Sequence, residues 1–458
     1  MGPARTPRRM TPRRILLVGA GGREHALAIR LAGEPGVTFV LALPGSDAIA
    51  SVPGVSIAAG DPLDPAAVVA AALGARVDLA VIGPEAPLAA GVTDALVAAG
   101  IPTFGPSAAA ARIESSKAFC HELADAAGVR MAHARAFAAK RPAVAFAAAL
   151  DDAGRGIVIK ADGLAAGKGV TVCETFDEAL AALDAIFGDV PAGPTGAPRV
   201  VVEERLRGPE ASVIVLADET AALALPAARD HKRLGDGDAG PNTGGMGAYS
   251  PLPDLPDADV AGIVAAFHVP LLAELARRGT PFRGALYAGL ILADDGPVLL
   301  ECNARLGDPE AQVILPRCAT PLAPLLLAAA EGRLAAAAAE AGITGSLLPA
   351  SPEAAVGIVL AAAGYPSAPR PGDAITGLIE ADARGGLVFH AGTARDPDGT
   401  WRVHGGRVLT VVGTGPDLAA ARAAAELAAD AIAFEGLQRR HDIAATTPAA
   451  PATAGRPR

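Results

Sequence analysis

The stretch RRILLVGAGGREHALAIRLA, residues 13–32, limits the folds open to this chain more than any other. A run of large apolar residues stops at a glycine turn, and a helix-forming run follows at once. It predicts a buried strand, a tight turn and a helix. The same rhythm returns in FVLALPGS (39–46), DLAVIGPEAPLAAGVTDALVAAG (78–100) and IPTFGPS (101–107). Strands alternating with helices give a parallel sheet, so the chain opens with an α/β domain over 13–115. Ligands of such sheets sit beyond the carboxyl ends of the strands. The glycine turn, GPEAPL and FGPS all fall there.

A second segment opens with a helix at ARIESSKAF (111–119). Strands GIVIKA and RVVVEERL follow, with a glycine-rich loop and a helix between them. ASVIVLAD, GALYAGLIL and GPVLLECNA are further strands. A third region starts at AAVGIVLAAAGYP (354–366) and carries LVFHAGTA, GGRVLTVVG and the helix DLAAARAAAELAADAIAF. Three domains suit 458 residues. The expected boundaries are 116–330 and 345–440, with residues 1–12 and 441–458 disordered. Met10 is an alternative start, and the basic N-terminus leads straight into a strand without an apolar signal region.

The formal charge of −10 argues against nucleic acid or an anionic membrane as the main partner. No apolar run reaches the roughly 18 residues of a membrane span. The four cysteines, Cys120, Cys173, Cys302 and Cys318, form no C-x-x-C pair, and buried thiols in a reducing cytosol are expected.

Of 39 lysines and arginines, only five are lysine. Lys117, Lys160, Lys168 and Lys232 stand in polar, glycine-bearing contexts; Lys140 is ordinary surface. The chain has just two asparagines, Asn242 in GPNTGGMG and Asn303 in ECNARLGDPE, and Gln312 follows the second motif closely. A composition that writes positive charge as arginine keeps lysine where a compact point charge is needed against a phosphate oxygen. KADGLAAGKGV (160–170) is not a P-loop, because Asp162 and Gly169 break the pattern, yet its backbone N–H groups can approach phosphates. GAGGRE likewise fails the dinucleotide motif at Glu24. Glu301 and Asn303, two apart on a strand, face the same side and offer two oxygen donors to a cation bridging phosphates. Arg305 follows on that side and can hold an anion.

Together these stretches resemble the phosphoribosylamine–glycine ligases, ATP-grasp enzymes of purine biosynthesis. The likeness rests on GAGGREHAL, IGPEAPL, FGPS, SKAF, IKADGLAAGKGV, VEERLRGPEAS, DHKR, GPNTGGMGAYSP, LYAGL and ECNARLGDPE, and extends through VFHAGT and GGRVL over residues 13–437. It implies an α/β and α+β multidomain fold: an N-terminal parallel α/β domain, an ATP-grasp domain with a mobile lid subdomain over about 135–205, and a small C-terminal α+β domain. It also implies a reaction in which ATP phosphorylates the carboxylate of glycine and the amine of 5-phosphoribosylamine displaces the phosphate.

On this resemblance Lys117, Lys160 and Lys168 hold nucleotide phosphates. Glu203, Glu204 and Leu206 match the hinge at adenine, and Glu210 the ribose acceptor. Glu301 and Asn303 match the ligands of Mg²⁺ or Mn²⁺. Asp230, Lys232, Arg233, Asn242, Thr243, Gly244 and Arg305 surround glycine and the transferred phosphoryl group. Gly21, Gly22, Arg23 and Glu24 hold the phosphoribosyl end. The chain departs from the family's usual pattern at Arg229, where glutamine is common, at Cys302 and Leu306, which replace phenylalanines, and in LYAGLIL, which supplies no further carboxylate ligand. The partners implied are small molecules, ATP, glycine and 5-phosphoribosylamine, with a cytoplasmic monomer or small homo-oligomer. Another ATP-grasp ligase or carboxylase acting on a purine intermediate is the alternative.

Overall fold

The computed structural model describes residues 11–164, 169–188 and 199–445. In the N-terminal domain, β1 (Arg14–Gly19), β2 (Phe39–Pro44), β3 (Val55–Ile57), β4 (Leu79–Ile82) and β5 (Thr103–Phe104) form one parallel sheet in the order β3-β2-β1-β4-β5. The chain leaves β1 toward one edge and returns to its other side at β4, so the crevice of such a sheet lies between these two strands. The helix Gly22–Ala32 begins at that crevice. Glu24, at its third position, turns back so that Oε2 accepts from the Gly21 N–H at 2.7 Å. Its side chain fills the space over two glycines. A Cβ on Gly19 would sit 2.6 Å from Glu24, and one on Gly83 2.2 Å. Gly19 also has φ +128°, which disfavours any other residue.

A second, antiparallel sheet contains β6 (Ala134–Phe137), β7 (Ile157–Ala161), β8 (Val170–Cys173) and β9 (Val200–Glu204) in the order β6-β9-β7-β8. Helices Lys140–Asp152 and Phe176–Gly188 cover one face. Ala143, Ala147, Ala179 and Leu183 meet Ile157, Ile159, Val200 and Val202 in a core of their own. Side chains alternate along a strand. Lys160 and Glu203 therefore lie on the opposite face, away from these two helices, and are buried there.

A third sheet pairs Ala222–Ala224, Glu210–Ala217, Gly284–Ala293 and Gly296–Asn303, all antiparallel. The continuous helical stretch Asp257–Arg277 packs against it, with His268 Nε2 3.2 Å from the Val213 carbonyl. This one helix among the described residues is long and apolar enough to cross a membrane by length and composition, contrary to expectation. Val260, Ile263, Phe267, Leu271 and Leu275 on it are buried in the core shared with that sheet.

The last large sheet runs Arg229–Asp230, Gly247–Ser250, Ala354–Ala361, Arg407–Gly415, Leu387–His390. Two of its strands come from the middle of the chain and three from the third region, so these parts share one hydrogen-bonded ladder. Helix Leu418–Ala429 lies close on it, because its buried face is Ala421, Ala425 and Ala428 and the strand presents Gly413. A Cβ there would fall 2.3 Å from the Ala425 nitrogen. The tail expected to be disordered from residue 441 instead docks over its first residues. Ile443 is fully buried, and Asp442 accepts from Gly237 N at 2.8 Å and pairs with the buried Arg440. The four cysteines are free and buried.

Candidate active site

Three lysines converge on the end of the strand Gly296–Asn303. A register shift in its pairing with Gly284–Ala293 sets Glu301 opposite Gly289 but Leu299 opposite Leu290, leaving Leu300 as the extra residue of a bulge. Lys160 Nζ donates to the freed Leu300 carbonyl at 3.0 Å and pairs with Glu203 at 2.7 Å. Glu203, itself buried, also meets His121 Nε2 at 2.6 Å. Burial works against its charge, but Lys160 and His121 outweigh that and hold the carboxyl below its ordinary range. Lys117 starts a helix capped by Ser116, and its Nζ donates to Gly163 O at 2.8 Å. Burial lowers the Lys117 ammonium from its usual range. Lys168 lies outside the described residues.

Lys232 reaches the same place from the other side. Its Nζ lies 3.0 Å from Glu210 and 3.5 Å from Glu301. Lys232, and to a lesser degree Lys160, Arg305 and Lys117, hold Glu301 ionised, with its carboxyl down to about 2. Burial pushes Asp230 the opposite way, well above the ordinary carboxyl range, with Glu310, Glu210 and Glu301 adding to it. Beneath them Ser212 Oγ bonds both Tyr287 Oη (2.9 Å) and Glu310 Oε1 (3.1 Å).

Arg305 joins the N-terminal domain to this cluster. Its Nη2 lies 3.0 Å from Glu114 and its Nε 3.4 Å from Glu85 of the GPEAPL turn. Glu114 Oε2 also accepts from Ala304 N at 2.7 Å, so one carboxylate pins both the backbone after Asn303 and the guanidinium. Arg23 donates to Leu306 O at 3.1 Å and to Glu24 at 2.5 Å, and both side chains are buried. Gly22 sits at the helix start against Gln312, whose Nε2 would be 2.9 Å from a Cβ there.

The structure thus brings together Lys117, Lys160, Lys232, Glu210, Glu301, Asp230 and Arg305. Arg233 Nη1 donates to Gly240 O at 2.6 Å. Thr243 is fixed to the Lys232 carbonyl by its N–H (2.7 Å) and hydroxyl (2.8 Å). Glu204 accepts from His133 N and Arg155. Glu203 is occupied by Lys160 and His121, and Leu206 lies just beyond the strand. Arg229 is tied to Asp254 at 2.7 Å and Tyr249 at 2.8 Å. Its guanidinium is thereby spent on an anchor. Glu85, Glu114, His121, Ser212, Tyr287 and Glu310 were not singled out by residue type or spacing. Glu85 and Glu114 stand inside quoted motifs, each a carboxylate beside a glycine turn or a lysine, and that adjacency was the available signal.

A divalent cation fits this donor set. Glu301 offers an ionised carboxylate and Asn303 a neutral oxygen on one face of the strand. Among the described residues no group of three or more His, Cys, Asp and Glu side chains could cage a metal alone. Two protein oxygens completed by phosphate oxygens are the arrangement a nucleotide-bound cation uses.

A two-layer antiparallel lid with lysine at its strand end, set across a sheet that ends in a carboxylate–amide pair, defines an ATP-grasp ligase. The chain matches the phosphoribosylglycinamide synthetase family in three parts: the N domain over residues 13–114, the ATP-grasp (A) domain over 115–311 and the C domain over 355–446. The phosphoribosylamine–glycine ligase of Streptomyces coelicolor is 47% identical over 437 residues, 94% of this chain and 99% of that protein. Its counterpart from Mesorhizobium japonicum is 44% identical over 429 residues, 94% and 97% of the two. The crystal structure of phosphoribosylamine–glycine ligase from Thermotoga maritima is 32% identical with a TM-score of 0.76, over 94% of this chain and all of that one. A biotin carboxylase from Campylobacter jejuni shares the fold at 16% identity and a TM-score of 0.68, over 95% and 94% of the two chains. The chain belongs to the phosphoribosylglycinamide synthetase family.

Proposed function

We propose that this chain ligates glycine to 5-phosphoribosylamine at the expense of ATP, through glycyl phosphate, giving glycinamide ribonucleotide, ADP and phosphate. The observation that carries the reading is the convergence of Lys117, Lys160 and Lys232 on Glu301, within a family whose curated relatives are phosphoribosylamine–glycine ligases.

A carboxylate cannot expel oxide when an amine attacks it. Transfer of the γ-phosphoryl group to one carboxylate oxygen turns that oxygen into part of a phosphate leaving group. The charge that builds on the phosphoryl oxygens is met by positioned cations, which is where such catalysis is won. Lys160 is held in place by Glu203 and the Leu300 carbonyl, Lys117 by the Gly163 carbonyl, and Lys168 stands on the glycine-rich loop. Leu206 and the backbone after β9 receive adenine, and Glu210 the ribose. Glu301 and Asn303 would hold Mg²⁺ or Mn²⁺, which would supply positive charge against the phosphates. Lys232 and Arg305 face the acyl phosphate, and Asn242, Arg233 and the Thr243–Gly244 turn line the substrate side. Asp230, buried beside Lys232 with its carboxyl pushed well above its ordinary range, stands on the glycine side of the site. The turn Gly21–Gly22 at the helix start receives the phosphoribosyl phosphate, with Arg23 close by. Glu24 caps that helix. The chain works on these small molecules in the cytoplasm, as a monomer or small homo-oligomer, without nucleic acid or membrane.

Glycine labelled with ¹⁸O in its carboxylate tests the route. One label is expected in inorganic phosphate and the other in the product amide. Label in AMP, or unlabelled phosphate during turnover, overturns it.

A further inference from the structure

The third region holds the GPNTGG loop at one residue. Gly244, in the GPNTGG loop, donates its N–H to Tyr365 Oη at 3.0 Å, and its carbonyl accepts from Arg407 Nη1 at 2.5 Å. Both partners belong to the third region, and nothing in the ligase chemistry above uses either. Arg407 does more than meet Gly244. The same Nη1 donates to Asp308 O at 2.7 Å, and Nη2 pairs with Asp308 Oδ2 at 3.1 Å. Asp308 Oδ1 in turn accepts from Gln312 Nε2 at 2.7 Å. One guanidinium thus ties the GPNTGG loop to the segment that continues the Glu301–Asn303 strand.

The other side of the loop rests on Lys232. Thr243 bonds the Lys232 carbonyl twice, and Gly245 N donates to Thr243 Oγ1 at 3.0 Å. Gly245 has φ +109°, and a Cβ on it would lie 2.5 Å from Pro309. The loop is therefore clamped between Lys232, whose ammonium faces Glu210 and Glu301, and the third region. Lys117 and Lys160 make their hydrogen bonds to other elements, at the Gly163 and Leu300 carbonyls and Glu203, and none to this loop.

We propose that Arg407 and Tyr365 are positioning residues for the glycine and phosphoribosylamine side of the site, an assignment that rests on the ligase reading. The third region then sets how substrates are held and leaves the nucleotide alone. A planar fork suits this place, because the three oxygens are reached from two separated nitrogens, which the single nitrogen of lysine cannot occupy at once.

Three variants of the full chain test this: Arg407→Ala, Arg407→Lys and Tyr365→Phe. Steady-state rates give KM for glycine and for phosphoribosylamine, and a fluorescent ADP gives the nucleotide Kd. Arg407→Ala is expected to raise a substrate KM about tenfold or more, with nucleotide Kd within about twofold. Arg407→Lys should recover little of that, and Tyr365→Phe, which loses one hydroxyl and keeps the ring, should raise the same KM about threefold. Unchanged substrate KM in Tyr365→Phe and Arg407→Lys overturns the proposal, as does a nucleotide Kd that rises in parallel. Hydrogen exchange of residues 242–246 without ligands reads the clamp directly. Faster exchange there in Tyr365→Phe supports the clamp, and unchanged exchange overturns it. Wild-type chain that forms no ADP in response to glycine would sink the ligase reading instead, whatever the exchange result.

Discussion

Replacing Lys160 by methionine keeps most of the side-chain volume and removes the charge. Glu203 is then left 1% exposed without its cation 2.7 Å away. Breaking one side of a buried ion pair costs about 3–5 kcal/mol. The low end applies here, because His121 remains hydrogen-bonded to Glu203 at 2.6 Å. About 3 kcal/mol corresponds to roughly 150-fold faster exchange of the β7 and β9 amides, at 1.36 kcal/mol per decade. The pH dependence has a definite sign. In the wild type Glu203 titrates below its unfolded value, so its contribution is present above that value and lost only as pH falls through the lower folded one. Without Lys160, burial raises Glu203 above its unfolded value, and the penalty applies at high pH and fades as the carboxyl protonates. Exchange measured at pH 6 and pH 8 should therefore show the larger defect at pH 8. The further change Glu203→Gln should restore much of the protection, since a neutral amide has no uncompensated charge to bury. A pH 8 cost below about 1 kcal/mol, or strict additivity in the double variant, would refute the pairing argument.

Three other outcomes follow from the same geometry. Glu301→Gln and Asn303→Leu should each raise the Mg²⁺ concentration needed for half-maximal rate by about tenfold or more, and unchanged cation titrations in both would move the metal elsewhere. Ending the chain after Arg440 removes the fully buried Ile443 and the Asp442 carboxylate, so calorimetry should show a loss of about 2–4 kcal/mol relative to a chain ending after Ala445. An equal melting temperature for the two chains would show that the docked residues contribute nothing. Glu114→Ala frees the Ala304 N–H and leaves Arg305 with Glu85 as its one remaining carboxylate among the described residues, and turnover should fall about 10–100-fold with nucleotide Kd little changed; a wild-type rate would show that Arg305 needs no such support.

Much of this was written locally. Apolar runs ending at glycine turns predict the strand–turn–helix units, because periodicity and φ > 0 glycines act over a few residues. The rarity of lysine marked Lys117, Lys160 and Lys232, and the i, i+2 spacing put Glu301 and Asn303 on one face. Alternation even places Lys160 and Glu203 together. Ile159 and Val202 face the lid helices, so Lys160 and Glu203 share the other face, and the β7–β9 register makes them diagonal neighbours. Sequence alone could not supply that register, so it gives no sign that the Glu203 carboxylate pairs with Lys160. The same limit hid the sheet shared by Gly247–Ser250 and Ala354–Ala361, whose residues pair across more than a hundred positions of chain. It also hid Glu85 and Glu114 on Arg305, and Arg407 on Gly244. A hydrogen-bonded partner far along the chain leaves no local pattern, since any carboxylate or guanidinium could serve until packing decides which one arrives. Residue chemistry determined what this chain's site contains, and the close approach of three distant segments decided which charges meet there.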